Sequence, residues 1–149
     1  MPNKRFLIVE DHSPTSDAVA DYLRTFFPDW EIGQATSQKE GLRKLIGENP
    51  DVVILDIALP DGDGLDLVRK RAKASIESKA RFVVMTALGN KAVQGPRPGQ
   101  PWMDQLENDE KVLVTAFFEK PFLWKEFLTA LAKAGNVPAP EALTEFQEF

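Results

Sequence analysis

The stretch VVILDIALPDGDGL, residues 52–65, decides how the rest of the chain is read. Val52 to Leu55 form a short, β-rich apolar run, which predicts a strand buried on both faces. The run ends on a carboxylate, Asp56. An acid at the end of a buried strand is costly unless something compensates it. Leu59-Pro60 and the Asp/Gly cluster that follows predict a turn. A helix is then expected over 65–75, with Leu65, Leu67, Val68 and Ala72 inward.

The same alternation extends in both directions. RFLIV (5–9) predicts a first strand. Ser13 is expected to cap a helix with Pro14 at its first position, and Val19, Leu23 and Phe26 or Phe27 follow at helical spacing until Pro28. WEIGQA (30–35) predicts a weaker strand. Ser37 caps the next helix, which carries Leu42, Leu45 and Ile46 and stops at Asn49-Pro50. RFVVM (81–85) and KVLVTAFF (111–118) predict the last two strands, and an amphipathic helix is expected over 122–134. Strands alternating with helices imply βαβ units and a parallel sheet covered on both faces. The expected fold is therefore α/β: a doubly wound, five-stranded parallel sheet of flavodoxin-like order. One domain is expected over 1–135, with an insertion around 88–110 and a C-terminal tail, 136–149, that could be helical.

Composition narrows the function. The chain has 149 residues, 43% hydrophobic and 28% charged, which suits one compact domain. The net charge of −5, with no basic stripe, argues against direct nucleic-acid binding. There are no cysteines, so disulfides, thiolate metal sites and thiol catalysis are excluded. The apolar run near the N-terminus is too short for a signal peptide, and no stretch reaches the roughly 18 apolar residues of a membrane span. A soluble, cytoplasmic protein is expected.

In parallel α/β sheets, sites form at the carboxyl ends of the strands. Those ends carry Glu10-Asp11, Asp56, Thr86 and Lys120-Pro121. Carboxylates converging without arginine suit a hard cation such as Mg²⁺, which takes oxygen ligands and keeps several waters. An ammonium and a hydroxyl beside it suit a phosphoryl group. A carboxylate can itself attack phosphorus, giving an aspartyl phosphate.

These residues, in this order and each at a strand end, resemble the receiver domain of two-component response regulators. LDIALPDGDGL is similar to the family's phosphorylation-site signature, and FFEKPF to its lysine–proline segment. The resemblance covers residues 4 to about 134. It implies that Asp56 is the phosphoacceptor, supplied by a histidine kinase or phosphotransfer protein. It implies that Asp11 and Asp56 bind Mg²⁺ directly, Ala58 through its backbone carbonyl and Glu10 through water. Thr86 and Lys120 would contact the phosphoryl group, and Thr86 with Phe117 would form the switch. A downstream partner or an output domain would read the changed surface. The resemblance also implies self-catalysed phosphorylation and dephosphorylation.

Two regions depart from the family. The interval from Thr86 to Lys120 is 34 residues, longer than the family's usual one, and Gly89, Gly95, Pro96, Pro98, Gly99 and Pro101 forbid a continuous helix there. A short helix is expected to restart at Trp102, with Met103 and Leu106 inward. Trp102 is either an anchor for a partner or packs onto the domain; with Phe122 it is a candidate partner surface, and a homodimer, if formed, would be of unusual mode. Leu88 and Ala58 are expected near the site. In the tail, Ala142, Phe146 and Phe149 share one helical face, which binds a partner groove, packs on its own domain or starts a linker. No output domain follows in the sequence, which leaves a single-domain regulator or a truncated one.

Bland alternatives exist for individual residues. Asp11 and Asp56 could cap turns, Phe117 could be plain core, and His12 reads as a solvated loop residue rather than a ligand. The DGDG run lacks the spacing of a calcium loop. A phosphohydrolase of the haloacid-dehalogenase type would need an acid two residues after its nucleophile, where Ala58 stands. A receiver-like module that no longer uses phosphorylation is the remaining alternative.

Overall fold

The structure is a computed structural model and describes residues 3–73, 77–87, 92 and 96–146. Its centre is a five-stranded parallel sheet. The strands are β1 (Arg5–Val9), β2 (Glu31–Ala35), β3 (Val52–Asp56), β6 (Arg81–Thr86) and β7 (Val114–Glu119), in the order β2-β1-β3-β6-β7. Two short strands, β4 (Ala58–Leu59) and β5 (Gly62–Asp63), form an antiparallel hairpin after β3.

Helices cover both faces because the strands alternate between two apolar sets. Leu7, Val9, Val53, Leu55, Phe82 and Val84 pack towards α2 (Gln38–Glu48) and α3 (Leu65–Ala72). Phe6, Ile8, Ile54, Val83 and Met85 pack towards α1 (Ser13–Phe26) and α5 (Trp124–Ala134). The chain leaves β1 to one side for β2 and returns on the other for β3. This reversal opens a crevice at the carboxyl ends of β1 and β3, where α/β sheets place their ligands.

Several boundaries differ from the sequence expectation. The first helix begins at Ser13, with His12 in the cap position and no side-chain cap bond. Ser37 does cap α2, accepting from Glu40 N at 3.1 Å, and Asn49 ends that helix with φ of 47°. The last strand starts at Val114, not Lys111, because Glu107 and Glu110 form a reciprocal capping box that folds Asn108–Lys111 into a helical turn, α4. Val112 follows that turn and is 68% exposed. The last helix begins at Trp124 rather than Phe122, since Leu123 is extended at its cap.

Among its described residues the insertion holds no regular helix before Trp102; Gly99 sits at φ of 82° and its N–H donates to Ala92 O. The restart expected at Trp102 is a 3₁₀ turn, Trp102–Gln105. Among the described residues of the tail, the helical segment is a 3₁₀ turn, Glu141–Thr144, which ends before Phe146, so Ala142 and Phe146 do not share a helical face. Leu143 is buried against the α1/α5 side and Ala142 is exposed. Phe146 makes edge contacts with Tyr22 and Phe26, at 5.9 and 5.4 Å. Leu88, Gly89, Gly95 and Phe149 lie outside the described residues.

Candidate functional site

Parallel pairing puts the carboxyl ends of β1, β3, β6 and β7 on one rim. Glu10 and Asp11 follow β1, Asp56 ends β3, Thr86 ends β6, and Lys120 follows β7. The structure brings together ligand oxygens of Glu10, Asp11 and Asp56 within 4.8 Å of one another. Asp56 is 5% exposed and Glu10 1%, whereas Asp11 is open to solvent.

Lys120 is the counter-charge. Its Nζ lies 3.1 Å from Asp56 Oδ2 and 3.1 Å from Glu10 Oε2. The Lys120 N–H donates to Thr86 O at 2.7 Å, which ties β7's exit to the end of β6. Burial alone would depress the Lys120 ammonium, but Asp56 and Glu10 outweigh it and hold it above the ordinary lysine value. Glu10 is pushed up to about 7, first by burial and then by the Asp56 carboxylate beside it, with Lys120 pulling the other way. One ammonium thus faces more negative charge than it can neutralise.

That surplus fits a hard divalent cation. The donors are all oxygens, and the exposed Asp11 leaves room for water in the coordination shell. Asp56 Oδ1 also accepts the Ala58 N–H at 3.1 Å, so the residue assigned to the cation through its carbonyl is held to the acid by its amide.

Gly64 lets this loop close. A Cβ there would fall 2.1 Å from Asp56 O, an impossible approach. The Gly64 N–H donates to Ile57 O at 2.8 Å. The DG pair before the α3 apolar run was a signal for a turn, but not for contact with Asp56. Asp61 was also not singled out. Its carboxylate accepts the Gln38 and Lys39 N–H groups at 2.6 and 2.9 Å, and these bonds hold it below the usual carboxylate range.

Thr86 is fully buried at the rim. Phe117 is half-buried against the α2/α3-side core, paired in register with Val84. His12 stays exposed at the entrance of α1, its Nδ1 2.7 Å from Thr15 Oγ1. Phe122 is half-buried and lines a depression of about 330 Å³ with Pro14, Thr15, Ala18, Lys120 and Trp124. Of the two readings of Trp102, the structure favours packing onto the domain: it is 6% exposed and sits in the core with Leu106 and Leu113. The 3₁₀ turn directs the indole onto the domain, so it is no exposed anchor.

Comparison with known proteins accords with this arrangement. The family model described as "Response regulator receiver domain" matches residues 6–95. The chain therefore belongs to the response regulator receiver domain family. It is 31% identical over 97 residues to the chemotaxis protein CheY of Thermotoga maritima, covering 60% of this chain and 72% of that protein. It is 26% identical over 133 residues to the sporulation initiation phosphotransferase F of Bacillus subtilis, covering 89% of this chain and 94% of that one. The non-phosphorylated HemR receiver domain from Leptospira biflexa superposes with a TM-score of 0.68 at 26% identity, covering 93% of this chain and 99% of that chain. The family match ends at residue 95, ahead of the segment 96–111. Among the described residues, no helix is long and apolar enough to cross a membrane.

Proposed function

We propose that this receiver is a phosphorylation-switched signalling module in which Asp56 accepts a phosphoryl group from a histidine kinase or phosphotransfer protein. The observation that carries the reading is the Asp56 carboxylate, nearly buried, with the Lys120 ammonium 3.1 Å away and Glu10 and Asp11 beside it. In the transfer, the P–N bond of a phosphohistidine breaks and a P–O bond to an Asp56 carboxylate oxygen forms. The imidazole leaves with the electron pair and takes up a proton.

Asp11, Asp56 and the Ala58 carbonyl would hold Mg²⁺, with Glu10 acting through water. When bound, Mg²⁺ supplies positive charge to the phosphoryl oxygens. Lys120 moves its pairing from the carboxylates to the phosphoryl group, and Thr86 donates its hydroxyl to the same group. Thr86 moving towards Asp56 frees space beside β7 for the Phe117 ring, which alters the surface a partner reads. A cytoplasmic setting suits a protein fed by a histidine kinase.

The test is intact mass after incubation with Mg²⁺ and a small acyl phosphate, beside Asp56→Asn. The expected result is one phosphoryl adduct that needs Mg²⁺ and is missing from the variant. A folded, Mg²⁺-binding protein that takes no adduct, or an adduct that persists in Asp56→Asn, would overturn the proposal.

A further inference from the structure

We propose that Arg69 is a positioning residue that couples the phosphoacceptor hairpin to the segment 96–111, so that this segment reports the state of Asp56. The inference rests on the phosphorylation reading above and assigns its output.

The connection is continuous from the acid outward. Asp56 Oδ1 holds the Ala58 N–H at 3.1 Å. Ala58 pairs directly with Asp63 across the β4–β5 hairpin. The tip of that hairpin is pinned to α2, because Asp61 accepts two of its first N–H groups and Gln38 Nε2 donates to Asp63 O at 2.8 Å. The hairpin is therefore held as a unit against α2. Its exit, Asp63, uses one carboxylate oxygen on Leu65 N at 2.8 Å and the other on Arg69 Nη1 at 3.2 Å.

The guanidinium then forks. Nη1 also donates to Asp66 Oδ1 at 2.7 Å, while Nη2 donates to Gln105 O at 3.1 Å. Gln105 closes the 3₁₀ turn Trp102–Gln105 and is 2% exposed. Its side-chain amide grips Arg97 in both directions: Arg97 N donates to Oε1 at 2.9 Å and Nε2 donates to Arg97 O at 2.6 Å. Arg97 is tied on to Asp104 O and Glu107. One side chain thus joins the phosphoacceptor hairpin to a segment that lies beyond the family match.

The chemistry requires arginine. Only a rigid planar fork holds two carboxylates on one nitrogen and a carbonyl on the other. Converting the Asp56 carboxylate into an acyl phosphate changes the acceptor that holds Ala58, and that change meets the hairpin at the strand paired with Asp63. A lysine would keep an ion pair to the carboxylates but could not reach Gln105 O as well.

The experiment is hydrogen exchange of peptides within 96–111 on the full chain, with and without Mg²⁺ and a small acyl phosphate, and with the adduct counted by intact mass in the same samples. Wild type, Arg69→Met and Arg69→Lys are compared. The expected result is a change of about fivefold in exchange of this segment on phosphorylation of the wild type, lost in both variants although both still take up the adduct. A purely structural role for Arg69 predicts that Arg69→Lys restores the response, and that result would overturn the inference. So would a response that survives in Arg69→Met, or a fully phosphorylated wild type whose segment does not respond. A wild type without adduct brings down the phosphorylation reading and this inference with it, and the mass measurement separates that case from the others.

Discussion

Removing the charge of Asp56 should stabilise the Mg²⁺-free protein. The ligand oxygens of Glu10 and Asp56 lie within 4.8 Å, which at an effective dielectric of about 20 opposes folding by at least about 3.5 kcal/mol. Lys120 at 3.1 Å returns about 5 kcal/mol to Asp56 on the same scale. The exposed Asp11 adds a screened repulsion of about 1 kcal/mol or less. The attraction therefore leaves little or no surplus over the repulsion. The desolvation of a carboxylate that is 5% exposed remains, at several kcal/mol. Asn keeps an oxygen for the Ala58 N–H, and Lys120 keeps Glu10 as its partner at 3.1 Å. Asp56→Asn is therefore expected to gain about 1–3 kcal/mol at pH 8 in a chelator, with a Tm rise of about 2–4 °C per kcal/mol.

The pH dependence gives a second readout of the same charge balance. Glu10 rises from its ordinary value of 4.5 to about 7 in the folded chain, so the folded state binds the extra proton. Its contribution to stability is complete below about 4.5 and is lost as pH rises through about 7, a swing on the order of 3 kcal/mol. At pH 5 Glu10 is already neutral in the wild type, and the advantage of Asp56→Asn should shrink or reverse. Mg²⁺ at a hundredfold excess over its Kd should raise wild-type stability by about 2.7 kcal/mol and leave the variant nearly unmoved. Urea denaturation at pH 5 and 8, with chelator or Mg²⁺, reads all of this. A variant less stable than wild type at pH 8, or one whose advantage is the same at both pH values, would refute the charge argument.

Two further substitutions test the packing around the site. Gly64→Ala should cost about 1–3 kcal/mol and slow adduct formation, because its Cβ would have to displace the Asp56 carbonyl; urea denaturation and timed intact mass check it, and unchanged kinetics would mean the loop closes without that contact. Trp102→Ala should cost about 3–5 kcal/mol in urea denaturation. A loss below about 1 kcal/mol would refute the placement of the indole in the core.

The β/α alternation was legible because a sheet covered on both faces demands strands that are apolar throughout, as 6–9, 52–55 and 82–85 are. The rim residues were legible for a topological reason. When all strands run parallel, whatever follows each strand must share one edge, so Glu10-Asp11, Asp56, Thr86 and Lys120 could be placed together before any distance was known. The helix start at Ser37 and stop at Asn49 followed from local backbone chemistry. The Lys111 boundary failed because the Glu107/Glu110 capping box competed with a β-rich run, and the cap won.

What the sequence determined by itself was therefore the five strands of the central sheet, the main helices between them, their parallel arrangement and the side chains on one rim, because local pattern and chain topology carry that information. Only the tertiary structure decided which way Trp102 points, that Leu143 rather than Ala142 is the buried tail residue, that Gly64 lies against Asp56, and that Arg69 reaches Gln105. Each of these depends on contacts between residues that are not neighbours in the chain, on how a loop closes, or on the local screw of a 3₁₀ turn. Periodicity along a sequence holds no record of either.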